Sequence, residues 1–221
     1  MTKHFDRDLR RLGQQISELG QLVVEASDKA IVMLQNFDLV LAEEILATER
    51  RINDMEVDIE EECLKIMALH QPVASDLRYV ITILKVNNDL ERMGDQVVNI
   101  AERVKFIADK PRVVVDVDFR KMSEISSRMV RMVLDALVRE DAMKAREVLA
   151  MDDDLDALHA RSFSVLQEVM ARKPEMIAPG VSYLTISSNL ERIGDLATNI
   201  AEDIIFMEEG EVVRHLPAPS R

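Results

Sequence analysis

Tryptophan is absent from this chain of 221 residues, and all aromatics together make up only 4% of it. A β-sandwich would want more aromatic and β-branched alternation, so the composition points instead to helices built from Ala, Leu, Ile, Val, Met, Glu and Arg. Glycine and proline are also scarce, at six each, while hydrophobic residues reach 48%. That is a globular chain, with length for one large domain or two of about 110 residues. The lone cysteine, Cys63, has no second thiol in the chain to pair with. It fits a reducing cytoplasm and, lying mid-helix by pattern, reads as a small buried hydrophobe. No uncharged apolar run approaches the roughly 18 residues of a membrane span, and MTKHFDRDLRRLG lacks the apolar core of a signal peptide. A soluble cytoplasmic protein is therefore expected. Positive charge is the last shortage. The net charge is −13, and without a dense Lys/Arg cluster nucleic acid is excluded as the main partner. Acidity of this degree suits cations, basic protein surfaces, or simple solubility.

What is present in abundance is repetition. LERMGDQVVNIAE (Leu90–Glu102) and LERIGDLATNIAE (Leu190–Glu202) agree at nine of thirteen positions, at a constant offset of 100, since 191 − 91 = 100. Around them the periodicity is helical almost throughout. A first segment runs from about Asp6 to Asn36. A second starts at a candidate N-cap, Asp38, and continues to about Leu69. After the interruption at Pro72 a third runs from about Ser75 to Ala108. Lys110 to Val117, rich in Pro and Val, reads as a linker. Downstream, Asp141 matches Asp38 at an offset of 103, and the offset falls to 100 in the last helix, predicting a turn three residues shorter around Lys173 to Gly180. The expected architecture is all-α, two tandem three-helix bundles spanning residues 1–110 and 118–210, with residues 211–221 as a C-terminal tail.

On a wheel of about 100° per residue, Leu90, Met93, Val97, Ile100, Ala101 and Val104 share the core face, bordered by Gly94. Helix-interior glycine costs roughly 1 kcal/mol against alanine, so its recurrence as Gly194 implies close helix packing. Glu91, Asp95 and Glu102 fall within about 40° of one another, with Asn99 at the edge. Glu191, Asp195, Asn199 and Glu202 repeat the arrangement. The second segment of the first half aligns Glu49, Asn53, Glu56 and Glu60, and its counterpart aligns Asp152, Asp156, His159 and Phe163. Carboxylates at i and i+4 repel by a few tenths of a kcal/mol, so such a stripe is either left in water or brought to a cation. Oxygen donors one turn apart can converge on a hard cation, and His159 beside two aspartates suits a transition metal. The expectation is a metal-binding face for Fe, Zn, Ni, Mg or Ca. Its principal candidates are Glu91, Asp95, Glu191, Asp195, Asp152, Asp156, Glu49 and Asn53. Glu56, His159, Glu102, Glu202, Asn99 and Asn199 are secondary ones.

At these residues the chain resembles the PhoU family of phosphate-signalling regulators, over essentially its whole length. The motifs that carry the resemblance are HQPVASDLR (His70–Arg78), DLERMGDQVVNIAE ending at Glu102, and NLERIGDLATNIAED followed by IIFMEEGE to Glu211. The resemblance implies tandem three-helix bundles, usually dimeric, that bind metals through E(D)xxxD motifs. It implies a non-enzymatic negative regulator of the phosphate-starvation response that also affects phosphate uptake. The implied partners are the ATPase subunit of the phosphate ABC transporter and a membrane sensor histidine kinase. Asn53 departs from the motif, because an acid is expected there, and a weaker first-half site follows.

Two other classes compete. A carboxylate-bridged metalloenzyme wants Glu-x-x-His pairs projecting into a bundle core, and the chain contains no such pair. Hydrolytic chemistry lacks a P-loop or a Gly-rich strand-to-helix turn, and the four histidines form no recognisable triad. A plain helical scaffold without a metal role remains the alternative to the adaptor.

Overall fold

In the first helix, apolar residues recur at alternating spacings of four and three through Leu12, Ile16, Leu19, Val23, Ala26, Ala30 and Met33, and all seven are buried. That spacing keeps one seam facing its neighbours along a long helix and suits the shallow crossing angles of a bundle. The computed structural model describes residues 3–110 and 116–210. The first bundle consists of α1 (Lys3–Asn36), α2 (Val40–His70) and α3 (Ala74–Ala108). The second consists of α4 (Phe119–Arg139), α5 (Ala142–Leu149), α6 (Asp152–Arg172) and α7 (Ile177–Glu209), with a single 3₁₀ turn at Pro174–Met176 leading into α7. Most of the expected linker, and the expected tail from 211 to 221, lie outside the described residues. Among the described residues no helix is long and apolar enough to cross a membrane.

The second bundle has three helical segments in which the middle one is broken. Sequence pattern predicts one helix of about 30 residues there, whereas α5 and α6 are separated by Ala150 and Met151. The Met151 N–H bonds to the Val148 carbonyl at 3.0 Å, a tightening characteristic of a helix end. Asp152, Asp153 and Asp154 then occupy the first turn of α6, where the partial positive charge of a helix N-terminus favours them. Asp141 caps α5 by accepting the Lys144 N–H at 2.9 Å. Its counterpart Asp38 accepts the Val40 N–H at 3.1 Å, although Leu39 is the residue immediately before α2.

The shortened turn is real and sits slightly upstream of the expected place. At the offset of 103 Leu69 meets Arg172, and at the offset of 100 Val73 meets Lys173, so His70, Gln71 and Pro72 have no counterpart. Val73 and Lys173 are both extended. The three extra residues in the first bundle do structural work. His70 Nε2 lies 3.2 Å from Asp8 Oδ2 and its ring packs on Phe5, which ties this turn to α1.

Between the bundles α3 runs antiparallel to α7. Arg78 Nε donates to the Met207 carbonyl at 2.9 Å, and Lys85 Nζ pairs with Asp203 Oδ1 at 2.9 Å. A second seam joins α1 to α4 through Asp28, which receives Arg131 at 2.5 Å and Ser127 at 3.3 Å. Because α3 and α7 each pack within a bundle and across to the other, their buried stripes are broad and include polar residues such as Thr82 and Asp203. Each fully buried Leu or Ile contributes about 1.5–3 kcal/mol, and the buried apolar residues form one continuous cluster across both bundles.

Candidate functional site

The doubled segment places Leu90, Met93, Val97, Ile100, Ala101 and Val104 in the core, as the wheel predicts. Gly94 is buried against α2, where a Cβ would lie 3.3 Å from Ile52 Cδ1. Its counterpart Gly194 is tighter still, with the Cβ position 2.4 Å from Leu155 Cδ2 and 3.6 Å from Asp152 Oδ1. The glycines therefore let the acid-bearing helices approach closely. That approach brings the acids of two helices onto one face in each bundle.

In the first bundle the face joins Glu49, Asn53 and Glu56 of α2 to Glu91 and Asp95 of α3. Burial pushes the Glu91 carboxyl above its ordinary value, and the negative charges of Asp95, Glu56 and Glu49 push the same way. Burial, followed by the charge of Glu60, also raises Glu56. Asn53 Nδ2 donates to Glu49 Oε1 at 2.6 Å, while Asn53 Oδ1 is buried without a hydrogen-bond partner. The two helices are pinned together just beyond, where Asn87 Nδ2 donates to the Glu56 carbonyl at 2.8 Å.

The second face arranges its acids differently, because Asp156 stands where the first has Asn53 and His159 where it has Glu56. Asp152 is raised to about 6, first by burial and then by the charges of Asp156, Asp195, Glu191 and Asp153. Its Oδ1 is buried without a hydrogen-bond partner. Burial and then Asp195 and Asp156 raise Glu191. Asp195 is raised by burial and Asp156, against the pull of Arg192 and His159. His159 Nδ1 lies 2.9 Å from Ser187 Oγ, linking α6 to α7. Chemically this is a patch of carboxylates whose charges are only partly offset, and which holds protons more tightly than isolated acids do.

Of the secondary candidates, Glu56 and His159 lie on these faces and the other four do not. Asn199 and Glu202 border a groove between the bundles with Lys85, Asn88, Asp89 and Arg92, whereas Asn99 and Glu102 are exposed on α3. The expectation of bound Fe, Zn, Ni, Mg or Ca is overturned by the donor geometry. Among the described residues no group of three or more His, Cys, Asp or Glu side chains could hold a metal ion. A cation needs several donors converging at about 2.0–2.6 Å on one point. Here the carboxylates influence one another through their charge, and Glu49 accepts a hydrogen bond from the Asn53 amide.

A family profile described as the PhoU domain matches the chain twice, over residues 16–104 and 119–204. The chain belongs to the PhoU family. The two matches coincide with the two bundles, so the repeat read from LERMGD and LERIGD is the family's domain in duplicate. Among its relatives, the phosphate-specific transport system accessory protein PhoU homolog of Aquifex aeolicus is 36% identical over 209 residues, 95% of each chain. The Streptococcus pneumoniae homolog is 34% identical over 213 residues, 96% of this chain and 99% of the other. The crystal structure of PhoU from Pseudomonas aeruginosa superimposes with a TM-score of 0.89 at 34% identity, covering 94% of this chain and all of that one, 100%. That of the phosphate transport system regulatory protein PhoU from S. pneumoniae gives 0.85, covering 95% and 99%. PhoU proteins are non-enzymatic phosphate-regulatory proteins, and the two acidic faces are to be understood within that role.

Sequence reasoning did not find the residues that lock the bundles together, Lys85 with Asp203 and Arg78 with the Met207 carbonyl. Arg78 closes the HQPVASDLR motif, which was the available signal.

Proposed function

We propose that this protein is a cytoplasmic, non-enzymatic negative regulator of the phosphate-starvation response and a modulator of phosphate uptake. It acts as an adaptor between the ATPase subunit of the phosphate ABC transporter and a sensor histidine kinase, and it works as a homodimer. The observation that carries this reading is the full-length match to relatives named as phosphate-specific transport system accessory proteins. The two repeats, residues 1–110 and 118–210, are the two partner-facing units of the adaptor. Their acidic faces, around Glu49, Asn53, Glu91 and Asp95 in one and Asp152, Asp156, Glu191 and Asp195 in the other, are contact surfaces for basic regions of the partners. The acids of the two faces differ in placement, with Asn53 and Glu56 in one where Asp156 and His159 stand in the other. This supports a division between two partners, since complementary potential selects which surface docks where.

Coprecipitation of the full-length protein with the transporter ATPase and with the sensor kinase tests the adaptor role. Both are expected to be recovered, and reversal of charge on one face should lose one partner selectively. Deletion of the gene should derepress phosphate-starvation genes in high phosphate. Unchanged expression in the deletion strain would remove the regulatory reading, and light scattering on the purified protein checks the dimer.

A further inference from the structure

The two acidic faces leave one other feature of the molecule unexplained. Where the N-terminal half of α1 and the first turns of α3 meet the C-terminal ends of α4 and α7, a cleft of about 850 Å³ opens between the bundles. Its apolar wall includes Ile16, Tyr79, Leu137, Val138 and Met207. Val138 is 62% exposed, a large apolar side chain left uncovered at the mouth. Gly13 shapes the floor, because a Cβ there would lie 2.7 Å from the Tyr79 hydroxyl.

The polar part of the lining has one dominant sign. Glu18, Asp76, Glu140 and Glu208 face a single cation, Arg10, whose Nε is already donated to the Asp6 carbonyl at 3.1 Å. Glu140 and Glu208 approach each other from different helices. Burial first, and then the charge of Glu140, raises the Glu208 carboxyl, against a partial offset from Arg78. Glu140 is also the residue that ends α4, in a left-handed conformation at φ 53°. Glycine suits that position best, so a glutamate there carries a local backbone cost.

We propose that this cleft is a docking site for a segment of a partner protein in which apolar side chains are flanked by lysine or arginine. The apolar wall accepts the hydrophobic side chains and the four carboxylates receive the cations, a combination that neither a simple ion nor an acidic segment satisfies. The volume falls in the range of about 300–1,000 Å³ typical of ligand clefts, enough for the anchoring side chains of an amphipathic helix laid into a groove. Since both bundles line the cleft, an occupant bridges them. The inference deepens the adaptor reading by assigning a contact site to it.

The test uses full-length protein and a fluorescent synthetic peptide that alternates leucine with lysine and arginine, read by anisotropy at physiological ionic strength. An otherwise identical peptide with glutamate in place of the basic residues is the comparison. The basic peptide is expected to bind and the acidic one not. The double variant Glu140→Lys/Glu208→Lys should weaken the basic peptide by about tenfold or more, which corresponds to about 1.4 kcal/mol. Reversing Glu168 and Glu175, exposed outside the cleft and outside both acidic faces, should change it by less than about twofold. Equal losses from the two reversals would mean attraction to a generally acidic protein and would overturn the proposal. Glu140→Gly guards against misfolding, because it should raise Tm while weakening the peptide. Undiminished binding by that variant also overturns the assignment. Residues 211–221 carry Val212, Val213, Arg214, His215 and Leu216. A chain ending at Gly210 that binds the peptide about tenfold tighter would make the occupant a segment of this chain and not a partner. Coprecipitation of the ATPase or the kinase at equal yield by wild type and cleft variants overturns the docking site and leaves the adaptor reading intact.

Discussion

Asp152→Asn is expected to stabilise the protein at neutral pH, although it removes one of the acids that define the second face. Asp152 is raised from 3.8 to about 6 by burial and by four neighbouring carboxylates. A rise of about two units corresponds to about 3 kcal/mol at 1.36 kcal/mol per unit. The side chain keeps partial contact with water, so screening reduces this to about 1–2 kcal/mol. Asparagine also forfeits the attraction of the α6 N-terminus for a negative charge, roughly 0.3–1 kcal/mol. The net expectation is a gain of about 1 kcal/mol at pH 7.5. The sign follows from linkage. An acid whose native pKa lies above its unfolded value binds more protons when folded, so stability falls as pH rises between about 4 and 6. The variant loses that contribution, and the difference between the proteins should shrink as the pH approaches about 4. Urea unfolding at the two pH values measures it without the salt screening of guanidinium. A less stable variant at pH 7.5, or an equal gain at both, would refute the account of this face as uncompensated repulsion.

Gly94→Ala should be nearly neutral, because a propensity gain of about 1 kcal/mol meets a contact at 3.3 Å that Ile52 relieves by a small movement. Gly194→Ala faces Leu155 Cδ2 at 2.4 Å in a buried site and should lose about 1–2 kcal/mol net in denaturant melts. Lys85→Ala leaves the Asp203 carboxylate, which is 3% exposed, without its inter-bundle cation; a loss of about 1–2 kcal/mol is expected after discounting the exposure of Lys85. A double-mutant cycle with Asp203→Asn checks that the coupling is pairwise, and additivity of the two would disprove the bond's contribution. Cys63, buried and pushed up to about 12, should resist thiol reagents at pH 8 in the native protein and react on unfolding. Rapid native labelling would contradict its burial.

The sequence by itself determined everything that depends on periodicity. Alternating spacings of four and three in α1, the core face of Leu90 to Val104, and the duplicate at an offset of 100 each follow from side chains recurring on one side of a helix. Those features persist whatever lies opposite, so they were legible without knowing the partners. It also determined which residues share the acid stripe, since Glu91 and Asp95 are one turn apart on any helix.

Only the tertiary structure decided what depends on distances between helices. The break at Ala150 and Met151 carries no proline or glycine to announce it. It arises because three consecutive aspartates favour a new helix start and packing tolerates one there. The antiparallel docking of α3 on α7, and with it the pairing of Lys85 with Asp203, joins residues more than one hundred positions apart that no local pattern connects. The metal expectation failed for the same reason. A stripe fixes the direction in which carboxylates point from one helix, but ligation requires donors from two helices to meet at a single point, and that separation is set by how closely Ile52 and Leu155 let the glycine-bearing helices approach.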